Sequence, residues 1–397
     1  MPVDEKKLRA WWSHRQGLDG GLKGASAAEV LERSGWARSV GGVGPYLTLF
    51  ARAGLGREKA DAAVAAVEIH ELPAVRGCTY VVPKADYAVA LKAGQGFSGA
   101  DLKTAMKLGV TEKEIDKLCE AVVKALKDAA LEPEDIREAT GSASRSLGEA
   151  GKKKGLTTTL PIAIGRLQAQ GRIRRVPTNG RLDNQRYLYA AWKKSPLEGD
   201  KTTGEEAFQA VAKRFFGWLG AARLSELQEF LAVSGKAVKA AVEPLKLVPL
   251  AKDSDFLATP EAADEFASFK MPSKPQYVLV SSLDSIAAAR RDIQALLEPA
   301  DRKRSVLVGA KRGQLGGFYD LPNHAILDRG RLVGLWEFDT ETGSIAWGSF
   351  GVKDKALEAA VKETGAYVRE QLGDARSFSL DSPKSRVSKI EALRKLQ

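Results

Sequence analysis

The side chains best suited to binding chemistry are concentrated in one stretch of this 397-residue sequence. Between Lys152 and Lys194 there are eleven basic residues and one acidic residue, Asp183, in a chain whose formal net charge is +11. Guanidinium and ammonium groups bind phosphate through charge-assisted hydrogen bonds. A basic surface that serves only solubility spreads its charge, whereas a concentrated patch is typical of nucleic-acid binding. We therefore expect a polyanionic partner.

The elements that must position these groups follow from the apolar pattern. The segment "TTTLPIAIGRLQAQG" (157–171) predicts a helix with Leu160, Ile164 and Leu167 on one face and Gly171 as its stop signal. The alternating run that follows predicts a hairpin around Asn179-Gly180. This helix and its basic hairpin would present the phosphate ligands, which we predict to be Lys152, Lys153, Lys154, Arg166, Gln170, Arg172, Arg174, Arg175, Arg181 and Arg186.

Helices followed by a strand pair form the outline of a winged helix, and this outline recurs along the chain. From about Pro275 the pattern changes to β-branched and aromatic runs with hairpin punctuation at Arg329-Gly330 and Thr342-Gly343. We predict an α+β protein of tandem winged-helix (helix-turn-helix) domains followed by a small C-terminal β-barrel. The predicted divisions are a first winged helix (1–96), connecting helices (97–150), a second winged-helix core and wing (151–194), a third winged helix (205–260), and the barrel with a terminal helix (275–397).

Several classes of chemistry are disfavoured by composition. Two cysteines cannot form a disulfide framework, and three histidines, His14, His70 and His324, show no metal-ligand spacing. No apolar run approaches the roughly 20 residues of a membrane span, and the N-terminus lacks an apolar signal core. We expect a cytoplasmic, nucleoid-associated monomer that uses no metal and no cofactor.

The order of several segments resembles the winged-helix DNA glycosylases of the AlkZ/YcaQ type. The resemblance covers nearly the whole chain. It rests on the basic segment of residues 165–192 together with "GPYLTLFARAGL" (44–55), "VRGCTYVVPKADY" (75–87), "EEAFQAVAKRFFGWLGAARLSELQEF" (205–230) and "AILDRGRLVGLWEF" (325–338). It implies a concave surface that cradles double-stranded DNA. It also implies a link to the excision of bulky alkylated purines or the unhooking of interstrand crosslinks.

The resemblance places a catalytic Gln-x-Gln or Gln-x-Asp motif shortly before "PYLTLFAR", on Arg38, Ser39 and Val40. No amide or carboxylate stands there, and arginine is only a hydrogen-bond donor. A "QAQ" at 168–170 lies in the basic helix, and we interpret it as a coincidence of composition. Tyr80 is a second departure, because the family tends to have a histidine after the corresponding strand.

Two functions remain open. The first is a duplex-DNA-binding relative of the glycosylases that recognises damaged or distorted DNA with a degenerate motif and no catalysis. The alternative is an active glycosylase that positions water through other residues, with Ser39, Asp86 and His14 as candidates. Asp86 also suits a helix N-cap, and Trp336 and Trp347 suit either a flipped base or strand packing. A transcriptional regulator fits less well, because the tandem units and the C-terminal strands differ from a dimeric reader of palindromes.

Overall fold

The computed structural model describes residues 3–97, 99–184, 186–308 and 311–396, which form an α+β fold with several small antiparallel sheets. The N-terminal helix α1 (Glu5–Arg15) begins at Asp4, whose carboxylate accepts from the amides of Lys6 and Lys7. This cap satisfies amide groups that the first helical turn leaves without a partner.

The first unit alternates helices and short strands. Its elements are α2 (Ala27–Ser34), β1 (Ala37–Arg38), α3 (Gly44–Ala53), α4 (Arg57–Ala65), β2 (Ile69–Pro73) and β3 (Thr79–Pro83), with the sheet order β1-β3-β2. A capping box of Ser26 and Glu29 begins α2, and Gly54 ends α3 with a φ of 65°. The strands β2 and β3 pair as an antiparallel hairpin around Gly77. The helices α5 (Tyr87–Gly94) and α6 (Ala100–Met106) follow.

The second unit carries the basic segment and has its own hydrophobic core. Its elements are α7 (Glu112–Ala125), α8 (Pro133–Thr140), α9 (Gly148–Lys152), α10 (Leu160–Ala169), β4 (Ile173–Pro177) and β5 (Tyr187–Ala191). Ile115 and Leu118 of α7 pack with Leu167 of α10 and Ile173 of β4. Helices before the basic segment therefore share one core with it, although the sequence suggested that they connect separate units.

The third unit repeats the element order of the first. A capping box of Thr203 and Glu206 begins its first helix. The elements are α11 (Gly204–Leu219), β6 (Ala221–Ala222), α12 (Leu224–Leu231), α13 (Gly235–Val242), β7 (Val248–Pro249) and β8 (Leu257–Ala258), with the sheet order β6-β8-β7, and α14 (Pro260–Ser268) follows. Because element order and sheet order agree with those of the first unit, the two units share one folding pattern.

The C-terminal part is an antiparallel sheet covered by helices. It contains β9 (Tyr277–Val280), α15 (Ser285–Ala288), β10 (Ser305–Val308), β11 (Lys311–Gln314), β12 (His324–Asp328), β13 (Arg331–Asp339), β14 (Ser344–Ser349), α16 (Lys355–Tyr367) and α17 (Pro383–Arg394). The main sheet has the order β14-β13-β12-β9, while β10 pairs with β11. Both predicted hairpins are present, whereas this open strand order leaves the predicted barrel unconfirmed.

The main sheet joins the first unit to the N-terminal helix. On one side, Trp336 and Phe338 of β13 pack with Tyr46 and Leu47 of α3. On the other side, Leu335 belongs to a cluster that includes the tryptophans of α1. A third cluster joins the sheet of the first unit to the helices of the third. The first and third units and the C-terminal sheet therefore share continuous cores, and these hold the surface around residues 38–40 in place.

Candidate nucleic-acid interface

Much of the arginine charge around α10 is neutralised by one face of α7. Arg166 is bonded to Asp116 at 2.8 Å and to Glu112 at 2.6 Å. Arg172 forms a bidentate pair with Glu120, with N–O distances of 2.6 and 3.2 Å. The three carboxylates recur every fourth residue, so they form a stripe along the helix. A phosphate could bind either arginine only in competition with these carboxylates.

Two further predicted phosphate ligands are also paired. Lys152 contacts Glu149 at 2.7 Å. Arg181 pairs with Asp183 and also donates to the carbonyl oxygen of Leu372 at 3.0 Å. Among the residues that the structure describes, no ion pair neutralises the remaining basic residues of the segment, which are Lys153, Lys154, Arg174, Arg175, Arg186, Lys193 and Lys194. Exposed members of this set therefore form the free positive charge of the second unit.

The β4–β5 hairpin lies against the edge strand β2 of the first unit. Arg174 stacks over Trp192, with 5.6 Å between the guanidinium carbon and the ring centroid, and lies near the buried ring of His70. Burial, reinforced by the charge of Arg174, lowers the pKa of His70 to about 3. Among the residues that the structure describes, neither ring nitrogen of His70 has a hydrogen-bond partner. Arg174 and its neighbour Arg175 are half-buried, so they contribute less to an exposed basic surface than the sequence suggested.

The connection between β4 and β5 is longer than a tight turn at Asn179-Gly180. It is anchored by Leu182, which is fully buried in the core of the first unit. The backbone amide of Leu182 donates to the hydroxyl of Tyr46 at 2.8 Å. This apolar anchor fixes the loop, which also carries Arg181 and Arg186, against the first unit.

The segment 38–40, which we call the motif segment, lies where β1 ends. Arg38 is opposite Tyr80 on β3 and borders a narrow cavity with Trp218 and Phe230. Ser39 points to the other face of the sheet, and its hydroxyl donates a short hydrogen bond to the carboxylate of Glu71 on β2. Neither Ser39 nor Glu71 exposes more than 5% of its surface. The motif segment therefore has a carboxylate next to it, but a buried one.

Glu71 is the functional candidate that sequence reasoning missed. Burial raises its pKa, opposed by the Ser39 hydroxyl, the charge of Arg175 and the hydroxyl of Tyr187. Strand pairing brings Glu71 to Ser39, and the β4–β5 hairpin supplies the other groups. The position of Glu71 in the strand-like run "IHELP" could have indicated which face of the strand its side chain occupies. No signal in the neighbouring sequence indicated the residues that contact it.

The other sequence candidates lie apart from this pair. His14 is half exposed, and its Nδ1 lies 2.6 Å from Asp19. It borders a cleft of about 480 Å³ with Arg15, Arg33 and Arg214. Asp86 is buried and accepts from the Trp36 indole and from Arg214. Within the described residues, neither His14 nor Asp86 hydrogen-bonds to the motif segment.

Three further interpretations can be compared with the structure. The carboxylate of Asp86 makes no side-chain cap to α5, because Trp36 and Arg214 occupy it. Trp336 is fully buried, and its indole donates to the carbonyl of Ala325, so it packs in the core. Gln168 is buried on α10, whereas Gln170 is exposed at its end.

In the described ranges, no helix is both long and apolar enough to span a bilayer. Nor do those ranges contain three histidine, cysteine or carboxylate side chains gathered as metal ligands.

A known protein family matches most of the chain. A family model described as DNA glycosylase AlkZ-like matches residues 43–374. The chain belongs to the AlkZ-like DNA glycosylase family. The match begins downstream of Val40, so it does not test the motif segment.

The structural comparison agrees with this assignment. The DNA glycosylase AlkZ of Streptomyces sahachiroi superposes with a TM-score of 0.70 over 95% of this chain and 99% of its own. Sequence identity between the two is 18%, so the likeness is one of fold. A comparison with curated proteins found no match.

Proposed function

We propose that this AlkZ-like chain binds duplex DNA at damaged or distorted sites without excising a base. The observation that carries the proposal is the contrast between the second unit and the motif segment. Within the described residues, the second unit has exposed basic side chains that form no ion pair, while the motif segment offers no exposed acid, base or amide. Phosphate binding needs unpaired cations, whereas hydrolysis of a glycosidic bond needs an accessible acid, base or amide, which the motif segment lacks.

The repeated units support binding to a duplex. The first and third units share the order helix, strand, helix, helix, strand, strand, and an isolated bridge between Leu131 and Tyr189 gives the second a comparable third strand. We assign all three as winged helices, with the second beginning at α7. In helix-turn-helix folds a helix enters the groove while flanking groups hold the backbone.

The test uses labelled duplexes, either intact or carrying one bulky N7-alkylguanine. Binding is measured at two salt concentrations, and the same samples are then treated with mild base, which cleaves any abasic site. Salt-dependent binding that favours the lesion duplex, with no strand cleavage, is the expected result. Cleavage confined to the lesion duplex would refute the absence of catalysis, and no binding to either duplex would refute the proposal as a whole.

A second function is favoured by one observation, the contact between Ser39 and Glu71. A carboxylate can position water or stabilise positive charge that develops on a sugar. Glu71 stands beside the motif segment and has the raised pKa that suits proton transfer. For an active glycosylase, the β4–β5 hairpin would have to move, because Tyr187 and Arg175 cover the carboxylate in the present structure.

This alternative has its own test. If base-labile sites form, Glu71→Gln should abolish them while leaving duplex affinity unchanged, since the substitution keeps the shape and removes the titrating group. Glu68→Gln is the control, because Glu68 is exposed just before the same strand. Equal activity in the two variants would exclude Glu71 as the source of the chemistry.

A further inference from the structure

Two exposed apolar side chains lie close together in one short stretch of the C-terminal part. Among the described residues, the large hydrophobic side chains that stand exposed are Met106, Met271, Tyr319, Phe378, Leu380 and Val387. Phe378 exposes 45% of its surface and Leu380 exposes 91%. They flank Ser379 in residues 374–381, which we call the C-terminal loop. Exposing two such groups side by side costs free energy unless a partner covers them.

The C-terminal loop is fastened directly to the motif segment. The amide of Ser379 donates to the carbonyl of Val40 at 3.0 Å, and the amide of Val43 donates to the carbonyl of Arg376 at 3.0 Å. The chains approach so closely that a Cβ on Gly42 would lie 2.2 Å from the carbonyl oxygen of Ser377. Phe378 and Leu380 therefore project beside the position where the family places its catalytic motif.

Contacts on the other sides keep this loop rigid. The Nε2 atom of His324 lies 2.7 Å from the carbonyl oxygen of Ala375, and the hydroxyls of Ser282 and Ser377 are 2.9 Å apart. Arg386 of α17 donates to both carboxylate oxygens of Asp374, at the start of the loop, with N–O distances of 2.7 and 2.9 Å. An apolar side chain on a fixed base can displace other groups, because little conformational entropy is lost when it inserts.

The charge around the loop matches a nucleic acid. Arg376 donates to the backbone carbonyl of Asp183 at 2.7 Å, and within the described residues its guanidinium group forms no ion pair with a carboxylate. This bond also places the loop beside the β4–β5 connection, which carries Arg186. Lys384, in the first turn of α17, is exposed. Exposed apolar side chains accompanied by cations suit a duplex, in which stacked bases lie between two phosphate backbones.

From this geometry we infer that Phe378 and Leu380 form a wedge that inserts between base pairs at a distorted site. The inference rests on the proposed binding of duplex DNA and adds the element that senses distortion. A weakened or mismatched step is cheaper to open, so an inserted side chain converts damage into affinity. The wedge explains how the chain could prefer damaged DNA without a catalytic residue in the motif segment.

The experiment uses the full chain and duplexes with 2-aminopurine beside either a normal pair or an abasic-site analogue. This base fluoresces more strongly when it is unstacked. The wild type should raise the fluorescence on the abasic duplex. The variant Phe378→Ser/Leu380→Ser should lose that rise and bind this duplex about 10-fold more weakly, as expected for loss of a stacking contact. Its salt slope should be unchanged, because phosphate contacts remain.

Met271→Ser is the matched control, since Met271 is exposed to 46% and lies outside the loop. It should keep both the fluorescence rise and the affinity, and equal melting temperatures would show that both variants are folded. If the wild type binds but gives no rise, or if the double variant behaves like Met271→Ser, the wedge is refuted while the proposed function stands. If the wild type binds no duplex, the proposed function fails and the wedge with it.

Discussion

The division of the basic residues into paired and unpaired groups predicts which of them grip DNA. Lys153, Lys154 and Arg186 are exposed and have no ion pair within the described residues, whereas Arg166 and Arg172 are held by carboxylates of α7. Replacing the first three by serine should therefore remove phosphate contacts. Replacing the other two should remove few, because their charge is already balanced within the protein.

The expected change in the salt dependence of DNA affinity follows from counterion release. Each phosphate contact contributes about 0.9 to the slope of log affinity against log salt concentration, so the triple variant should lose roughly 2.7 units of slope. The double variant Arg166→Ser/Arg172→Ser should lose less than about one unit by the same relation. It should still bind somewhat more weakly at low salt, because the freed carboxylates repel the phosphates over a Debye length.

The assay is a titration of labelled duplex at several salt concentrations from about 50 to 200 mM, a range that resolves such slopes. Fluorescence anisotropy gives the affinity, and circular dichroism confirms that each variant is folded. The reasoning is refuted if the double variant loses as much slope as the triple variant. That result would mean that DNA displaces the α7 carboxylates and that the observed pairs do not predict the contacts.

The remaining predictions concern buried polar groups. Because the pKa of His70 lies at about 3 when folded and near 6.5 when unfolded, the unfolded chain takes up the proton first as the pH falls. His70 therefore lowers the free energy of unfolding below about pH 6.5, by about 1.4 kcal/mol per pH unit. In His70→Leu, the free energy of unfolding measured by urea titration should depend less on pH between pH 7 and 4.5 than in the wild type. An identical pH dependence in the two proteins would contradict this. Asp284 forms a fully buried bidentate pair with Arg52 at 2.7 and 2.8 Å. Asp284→Asn should lower the free energy of unfolding by about 3–5 kcal/mol. Glu134→Gln, in the exposed ion pair with Arg137, should leave the free energy of unfolding nearly unchanged.

The elements with strong local signals were predictable. The helix ending before Gly171 and the hairpins at Arg329-Gly330 and Thr342-Gly343 are present, because caps and turns depend on neighbouring residues. The length of the β4–β5 connection was not predictable. It depends on Leu182 entering the core of another unit, and a burial partner more than a hundred residues away leaves no local trace.

The charge of the basic segment was predictable from the sequence. Which of its side chains are paired with carboxylates, and so are not free to bind phosphate, was not predictable. A count over residues 152–194 leaves out Glu112, Asp116 and Glu120, which lie upstream and take up two of the arginines. The same limit applies to the motif segment. Its lack of glutamine could be read directly, whereas the approach of Glu71 depends on the pairing of strands.

The distribution of free charge suggests how the second unit would meet a duplex. Lys153 and Lys154 precede α10 in the chain, while Lys193 and Lys194 follow β5, and all four are exposed with no ion pair among the described residues. The helix itself is neutralised by α7 and ends at the exposed, uncharged Gln170. Exposed cations in the same unit as a neutral polar helix fit a mode in which phosphates fix the position and a groove faces the helix. Since such a surface holds DNA in place without reading much sequence, discrimination must come from elsewhere, and the apolar C-terminal loop beside the motif segment is the part of the surface suited to it.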